Sequence, residues 1–482
     1  MCKYLVNKHP ELLEISDDDG ETVLHDAAWG GNVDVFNFLI EKGLDVKSTT
    51  QNGKTVLHMC CMNGKLEMCK YLVNKHPELL EISDDDRETV LHDTAWGGNV
   101  DVFNFLLEKG LDVKSTTQNG KTVLHMCCRN GKLEMCKYLV NKHPELLEIS
   151  DDDKETVLHD AAWGGNVDVF NFLIDKGLDV KSTTQNGKTV LHQCCMNGKL
   201  EMCKYLVNKH PKLLEIIDDY RFTALHDAAW GGNVDVFKFL TDKGLDVKST
   251  TQNGKTVLHQ CCMNGKLEMC KYLVNKHPEL LEISDDDGRT VLHDAAWGGN
   301  VKVFEFLIDK GFDIKSKTNE GKTVLHQCCM NGKLEMCKYL VNKYPELLEI
   351  SDNEGHTALH EAAWGGNVDV IKLLIDKGLD IKSTTQNGKT VFHQCCMNGK
   401  LEMCKFLVNK HPDLLEISDN YSITVLHDAA WGGNINIFNF LIDKGLDVKS
   451  TTNKGKTVLH QCCMNGKLEM CKYLINKFTR PR

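Results

Sequence analysis

At 482 residues the chain is long enough for several globular domains or for one repeat array. Charged residues at 26%, apolar residues at 41% and only 8 prolines exclude a disordered or linker-rich chain. A net charge of −11 argues against a nucleic-acid partner, which needs a basic stripe.

Residues 1–16 come first, and Met1-Cys2-Lys3-Tyr4-Leu5-Val6 is copied at Met68-Cys69-Lys70-Tyr71-Leu72-Val73. This opening segment reads as a second helix without its first, a partial repeat. A unit then spans 17–49, here called A. Its tip is Asp17-Asp18-Asp19-Gly20-Glu21. Thr22 is a good N-cap for a helix running to Trp29, which Gly30-Gly31 stops. Asn32 caps a second helix, Val33 to Lys42, with Val33, Phe36, Leu39 and Ile40 on one face. Gly43-Leu44-Asp45-Val46 closes the unit. Unit B repeats the plan with Thr55 to Met62, Asn63-Gly64, Lys65 to Asn74 and a His76-Pro77 stop.

Thr22-Val23-Leu24-His25 returns 33 residues later at Thr55-Val56-Leu57-His58, and 34 after that at Thr89-Val90-Leu91-His92. The A–B pair recurs every 67 residues, marked by Trp29, Trp96, Trp163, Trp230, Trp297, Trp364 and Trp431. Residues 17–482 therefore read as fourteen repeats in seven 67-residue pairs. One such unit cannot bury its apolar face alone, so neighbours must supply the rest of the core.

The run D-x-x-G-x-T-x-L-H-x-A-A-x-x-G, a second helix and G-x-D-V resembles the ankyrin repeat, over residues 17–482. The resemblance implies an all-α repeat solenoid of ankyrin-type helix pairs joined by β-hairpin-like loops. At about 8–10 Å per helix layer, fourteen layers give a curved rod on the order of 110–140 Å. The chain departs from the family in three places. Val23 or Ala224 stands where the family has Pro, Cys60-Cys61 where it has Ala-Ala, and Lys47 where it has Asn. The Lys removes a target of asparagine hydroxylation from unit A.

No chemical site is expected. Fourteen of the 21 histidines follow their Thr by three residues, as His25 does, where the pair can share the helix start. The 22 cysteines repeat at small or apolar positions such as Cys60, Cys61 and Cys69. Successive B-unit groups lie about 20 Å apart by layer spacing. That is too far for one tetrahedral zinc or for a disulfide. The cysteines should therefore be reduced and metal-free. Asp17-Asp18-Asp19-Gly20 fails as a calcium loop, because Ile15 would fall at the first ligand position. No nucleophile elbow, P-loop or H-E-x-x-H run is present. The expectation is no enzyme, no cofactor and no metal.

In proteins of the resembled family, ligands meet the loop tips and the end of the first helix. In unit A these positions hold Asp18, Asp19, Glu21 and the tryptophans; in unit B they hold Gln51, Asn52, Lys54, Met62 and Asn63. An exposed Trp can anchor a partner, or it can fold over the next helix as packing. Charge is banded: residues 17–49 carry eight acids against two lysines, and 50–83 three acids against four lysines.

The reading is a protein-interaction scaffold or adaptor that binds through loop tips and the concave helix face. The alternatives are a structural or elastic spacer, or the recognition arm of a longer enzyme or receptor. Without a signal core in Met1-Cys2-Lys3-Tyr4 or a run of roughly 18 apolar residues, a cytoplasmic, reducing location and no membrane insertion are expected. Cys462, Cys463, Leu468, Cys471 and Leu474 keep the internal apolar pattern near the end. That predicts either a longer repeat protein or end-to-end self-association.

Overall fold

The computed structural model describes residues 2–479. It places 29 α-helices and no named strand among them. They make an all-α repeat solenoid of stacked helix pairs. The chain divides into two compact units between Val247 and Lys248.

In the first unit, α1 (Cys2–Lys8) precedes α2 (Val23–Gly30), α3 (Val33–Glu41), α4 (Val56–Met62), α5 (Leu66–Lys75), α6 (Val90–Gly97) and α7 (Val100–Glu108). α4 packs between α2 and α6, while α5 lies against α3 and α7. The capping signals act as read. Thr22 accepts from the Leu24 N–H at 3.3 Å and forms a reciprocal box with His25. Gly31 ends α2 in the left-handed region at φ 77°. Asn32 Oδ1 accepts from the Val35 N–H at 3.1 Å and starts α3.

The B-unit second helix departs from expectation by one residue at each end. Lys65 makes no side-chain cap, so α5 begins at Leu66. It runs to Lys75 because Pro77 forbids helical backbone only at His76, which sits extended at φ −135°. Beyond it the His-Pro stop becomes a 3-10 turn, Pro77–Glu81, which seats Leu79 in the core. Nothing in the His-Pro spacing itself predicts this turn.

Phe36, Phe103, Phe170 and Phe237 are fully buried in the first unit, as are Phe304, Phe392 and Phe438 in the second. Phe36 meets the Tyr71 ring edge-on at 6.2 Å, and the Tyr71 hydroxyl donates to Asn37. Single antiparallel bridges close several loops, such as Ser16 with Thr22 and Thr49 with Thr55. Successive tips are laced by backbone: Gln51 N–H donates to the Asp19 carbonyl at 2.9 Å, and Asp85 N–H to the Asn52 carbonyl at 3.1 Å. Near the end of the chain Cys462 and Leu474 are buried, whereas Leu468 and Cys463 are exposed.

Candidate functional site

Each tryptophan closes the first helix of an A unit. Its backbone is fixed while its ring stays at the surface. Asn63 Nδ2 donates to the Trp29 carbonyl at 2.8 Å, and Asn130, Asn331 and Asn465 do the same for Trp96, Trp297 and Trp431. Trp29 and Trp230 are 40% exposed and Trp364 46%. Trp96, Trp163, Trp297 and Trp431 are partly covered. The Arg129 guanidinium lies 3.6 Å from the Trp163 ring centre, a cation–π contact. The rings are neither core nor free, which leaves both readings of them in place.

Grooves run beside these rings. One of about 390 Å³ is lined by Met397, Tyr421, Ile423, Trp431 and Met464, with Lys389 and Asp428 in its wall. Another of about 290 Å³ lies by Met330, Trp364 and Met397, with His356 and Glu361 in its wall. In the first unit Trp96, Arg129, Trp163 and Lys199 border a third of about 230 Å³. The walls of the first are mainly apolar with a few charged groups, which is what a peptide groove needs.

The acidic tips are shaped by their own backbone. Asp17 Oδ1 accepts from the N–H groups of Asp19 and Glu21, at 3.0 and 2.8 Å. The turn is thereby closed by its own backbone N–H groups. Asp18 and Asp19 stay exposed and Glu21 is half-covered. Burial, then the nearby Asp17, Asp26 and Asp19 charges, raise the Glu21 pKa above the usual carboxylate value.

Several B-unit positions expected at a contact surface are spent on joining repeats. Gln51 Nε2 donates to the Asp18 carbonyl at 2.9 Å. Lys54 reaches into the next A unit, with its Nζ 3.2 Å from Asp84, 2.9 Å from Glu88 and 2.7 Å from Asp93. Burial alone would lower the Lys54 pKa, but the Asp93 and Glu88 charges outweigh it and hold it above the ordinary lysine value. Lys121, Lys188 and Lys389 repeat the link to Asp160, Asp227 and Asp428. Lys54 is therefore an inter-repeat strut and not a contact for a partner.

The motif histidines are structural. His58 Nδ1 accepts from the Thr55 N–H at 3.2 Å, and its Nε2 faces the Glu88 carbonyl of the next unit at 3.4 Å. That pair of partners requires the tautomer protonated at Nε2. Burial lowers His58 to about 4, so the ring stays neutral. The reach into the next unit is invisible in a Thr-x-x-His spacing.

The cysteines hold the largest departure from the sequence reading. The spacing between B units excludes a shared zinc or a disulfide from one unit to the next, yet the thiols converge inside each unit. Cys69 Sγ lies 3.2 Å from Cys60 Sγ and 3.6 Å from Cys61 Sγ. All three are completely buried. α4 supplies two adjacent sulfurs and the turn into α5 returns the third nine residues on. Burial pushes the Cys60 and Cys61 thiols well up. The hydrogen bonds with Cys60 and Cys61 pull the Cys69 thiol the other way, below the ordinary thiol value. Three ligands fall short of the four a structural zinc takes.

Comparison with known proteins bears on the whole chain. Family models described as ankyrin repeats (3 copies) match residues 43–117, 109–184, 177–251, 243–318, 311–385 and 377–452. Models described as ankyrin repeats (many copies) match 4–60 and 438–475. The chain is similar to the Transient receptor potential cation channel subfamily A member 1 homolog of Caenorhabditis elegans, at 26% identity over 40% of this chain and 16% of that protein. It is similar to Ankyrin repeat protein nuc-2 of Neurospora crassa, at 27% identity over 42% of this chain and 20% of that one. Alpha-latrocrustotoxin-Lt1a of Latrodectus tredecimguttatus is 32% identical over 26% of this chain and 9% of its own length. The aligned stretch thus spans a fifth or less of each of these relatives.

Proposed function

We propose, for a chain that belongs to the ankyrin repeat family, that it is a scaffold that holds a protein partner against its tryptophan-lined grooves and acidic tips. Ankyrin repeats are in general modules of protein interaction. The observation that carries the reading is the Trp431 groove, where Met397, Tyr421, Ile423 and Met464 stay open beside the ring. An extended or helical segment with one large apolar anchor fits it, and the exposed Asn453 and Lys454 at its rim supply the polar contacts. We assign the scaffold no catalytic step of its own. The small share of each relative that aligns supports a second reading, a recognition segment of the kind longer proteins carry.

The test is selection of peptides from a display library on the purified chain, followed by binding to a variant with Trp364→Ala and Trp431→Ala. Enriched peptides should bind the variant at least tenfold more weakly, while its melting curve shifts little, because both rings are partly solvated. Equal binding to the variant, or a melting shift that accounts for the lost affinity, overturns the reading.

A further inference from the structure

The seven B-unit cysteine triads are a repeated feature that the scaffold reading does not use. They are Cys60, Cys61 and Cys69 together with the copies ending at Cys136, Cys203, Cys270, Cys337, Cys404 and Cys471. From first to last, the two hydrogen-bonded Sγ···Sγ separations in each triad lie between 3.1 and 3.7 Å. In the first five triads all three sulfurs lie within 4.8 Å of one another.

We infer that each triad is a binding site for a trivalent, three-coordinate thiophilic centre of the arsenite and antimonite class, held by three sulfurs and nothing else.

Geometry narrows the class first. With metal–sulfur bonds of about 2.3 Å, a tetrahedral centre needs sulfurs about 3.8 Å apart and a planar three-coordinate one about 4.0 Å. The two separations made by the third cysteine of each triad, 3.1 to 3.7 Å, correspond instead to S–M–S angles of roughly 85–107° on such bonds, and the adjacent pair stays within 4.8 Å in the first five triads. Angles of that size belong to a pyramid, with a lone pair of electrons on the centre where a fourth ligand would be.

Charge narrows it again. Three thiolates carry −3 into a site where Cys60, Cys61 and Cys69 are wholly buried. The groups that act on them most strongly are one another and the backbone, and Cys60 Sγ also donates to the Leu57 carbonyl at 3.3 Å. A divalent ion would leave one net negative charge in that interior and copper(I) would leave two. Uncompensated buried charge is costly. A trivalent centre leaves none.

The chemistry then balances without ionising anything. Arsenous acid, As(OH)₃, meets three thiols. Three As–O and three S–H bonds break, three As–S bonds form, and each sulfur's proton leaves with one hydroxide as water. Arsenic stays in the +3 state throughout, so no oxidant or reductant takes part. The product is neutral and needs no counter-ion in the core.

Access sets the order of loading. The interior triads open only when a helix pair locally unfolds. Cys463 is exposed and Cys471 partly so, which makes the Cys462, Cys463 and Cys471 triad the first to react.

The experiment uses the purified 482-residue chain, reduced with a phosphine and titrated with sodium arsenite. Intact mass is read before and after refolding from urea with arsenite present. One adduct is expected on the folded chain, rising to seven after refolding, each the mass of one arsenic less three hydrogens. Arsenic X-ray absorption should show three sulfur neighbours and no oxygen. Cys337→Ala should remove one of the seven equivalents, with helicity retained by circular dichroism as the control for folding. Several results overturn the inference. They are no adduct on a refolded helical chain, adducts that keep an As–O bond, stoichiometry indifferent to Cys337→Ala, or uptake of zinc or copper(I) in preference to arsenite.

Discussion

Lys54 Nζ lies 2.7 Å from the Asp93 carboxylate, although 39 residues separate them in the chain. The lysine side chain is 18% exposed and the aspartate 2%. Asp84 and Glu88 close the same cage. The link joins a B-unit tip to the first helix of the following A unit, which is the interface on which a repeat array depends.

Lys54→Met should therefore cost about 3–5 kcal/mol, because it leaves carboxylates buried without their cation. Urea unfolding with hydrogen exchange on α4 and α6 reads it. Adding Asp93→Leu should restore much of the loss, since a buried pair replaced by apolar groups is often neutral. A loss below about 1 kcal/mol for Lys54→Met, the size of a surface pair, would refute the strut.

Acid should unfold the chain between pH 6.5 and 4. Burial lowers His58, His92, His125, His192, His293, His326, His360 and His393 from 6.5 to about 4. In that window the unfolded chain binds more protons, so stability is full above 6.5 and is lost as pH falls towards 4. Burial raises Asp93 to about 7 and Asp428 to about 6, against the pull of Lys54 and Lys389. Their contribution has the opposite sign: it is full below the ordinary value of 3.8 and lost as pH rises through those values. In all, twelve histidines are lowered against eight carboxylates that are raised, so the urea midpoint should fall with acid. His125→Gln should flatten the slope by one proton. A midpoint that is flat or rises towards pH 4 would sink the prediction.

Gly30 and Gly97 occupy the same place in their repeats, yet alanine should act on them in opposite directions. A Cβ on Gly97 would stand 2.0 Å from the Met62 carbonyl oxygen, whereas one on Gly30 meets nothing within 4 Å. Gly97→Ala should cost about 1–3 kcal/mol through overpacking. Gly30→Ala, at a helical position with open space, should be neutral or stabilise by about 0.5–1 kcal/mol. Paired thermal melts decide it, and equal shifts in the two variants would show that the contact carries no weight.

Much of the fold was legible because its signals are short-range. Thr22 and His25 lie within one turn of helix, as do Asn32 and Val35. Gly31 needs only its own left-handed backbone. The 67-residue spacing of the tryptophans places those local units in register. The helix starts, the caps and the fully buried row that begins at Phe36 follow from such neighbours, and so does the family resemblance.

What remained hidden depends on distances through space. Lys54 read as a tip residue until Asp93 came to meet it from the next repeat. Gly97 read as half of a helix stop, but its lack of a side chain is demanded by a carbonyl 35 residues earlier. By spacing alone Cys60, Cys61 and Cys69 are separate small core positions, and only the turn between the two helices of one unit brings their sulfurs together. The sequence by itself determined the repeat and the helices, since caps and periodicity act within a turn or two of backbone. Only the tertiary structure decided which side chains share a cage, a contact or a thiol cluster, since burial and charge pairing depend on what the fold brings within a few ångströms.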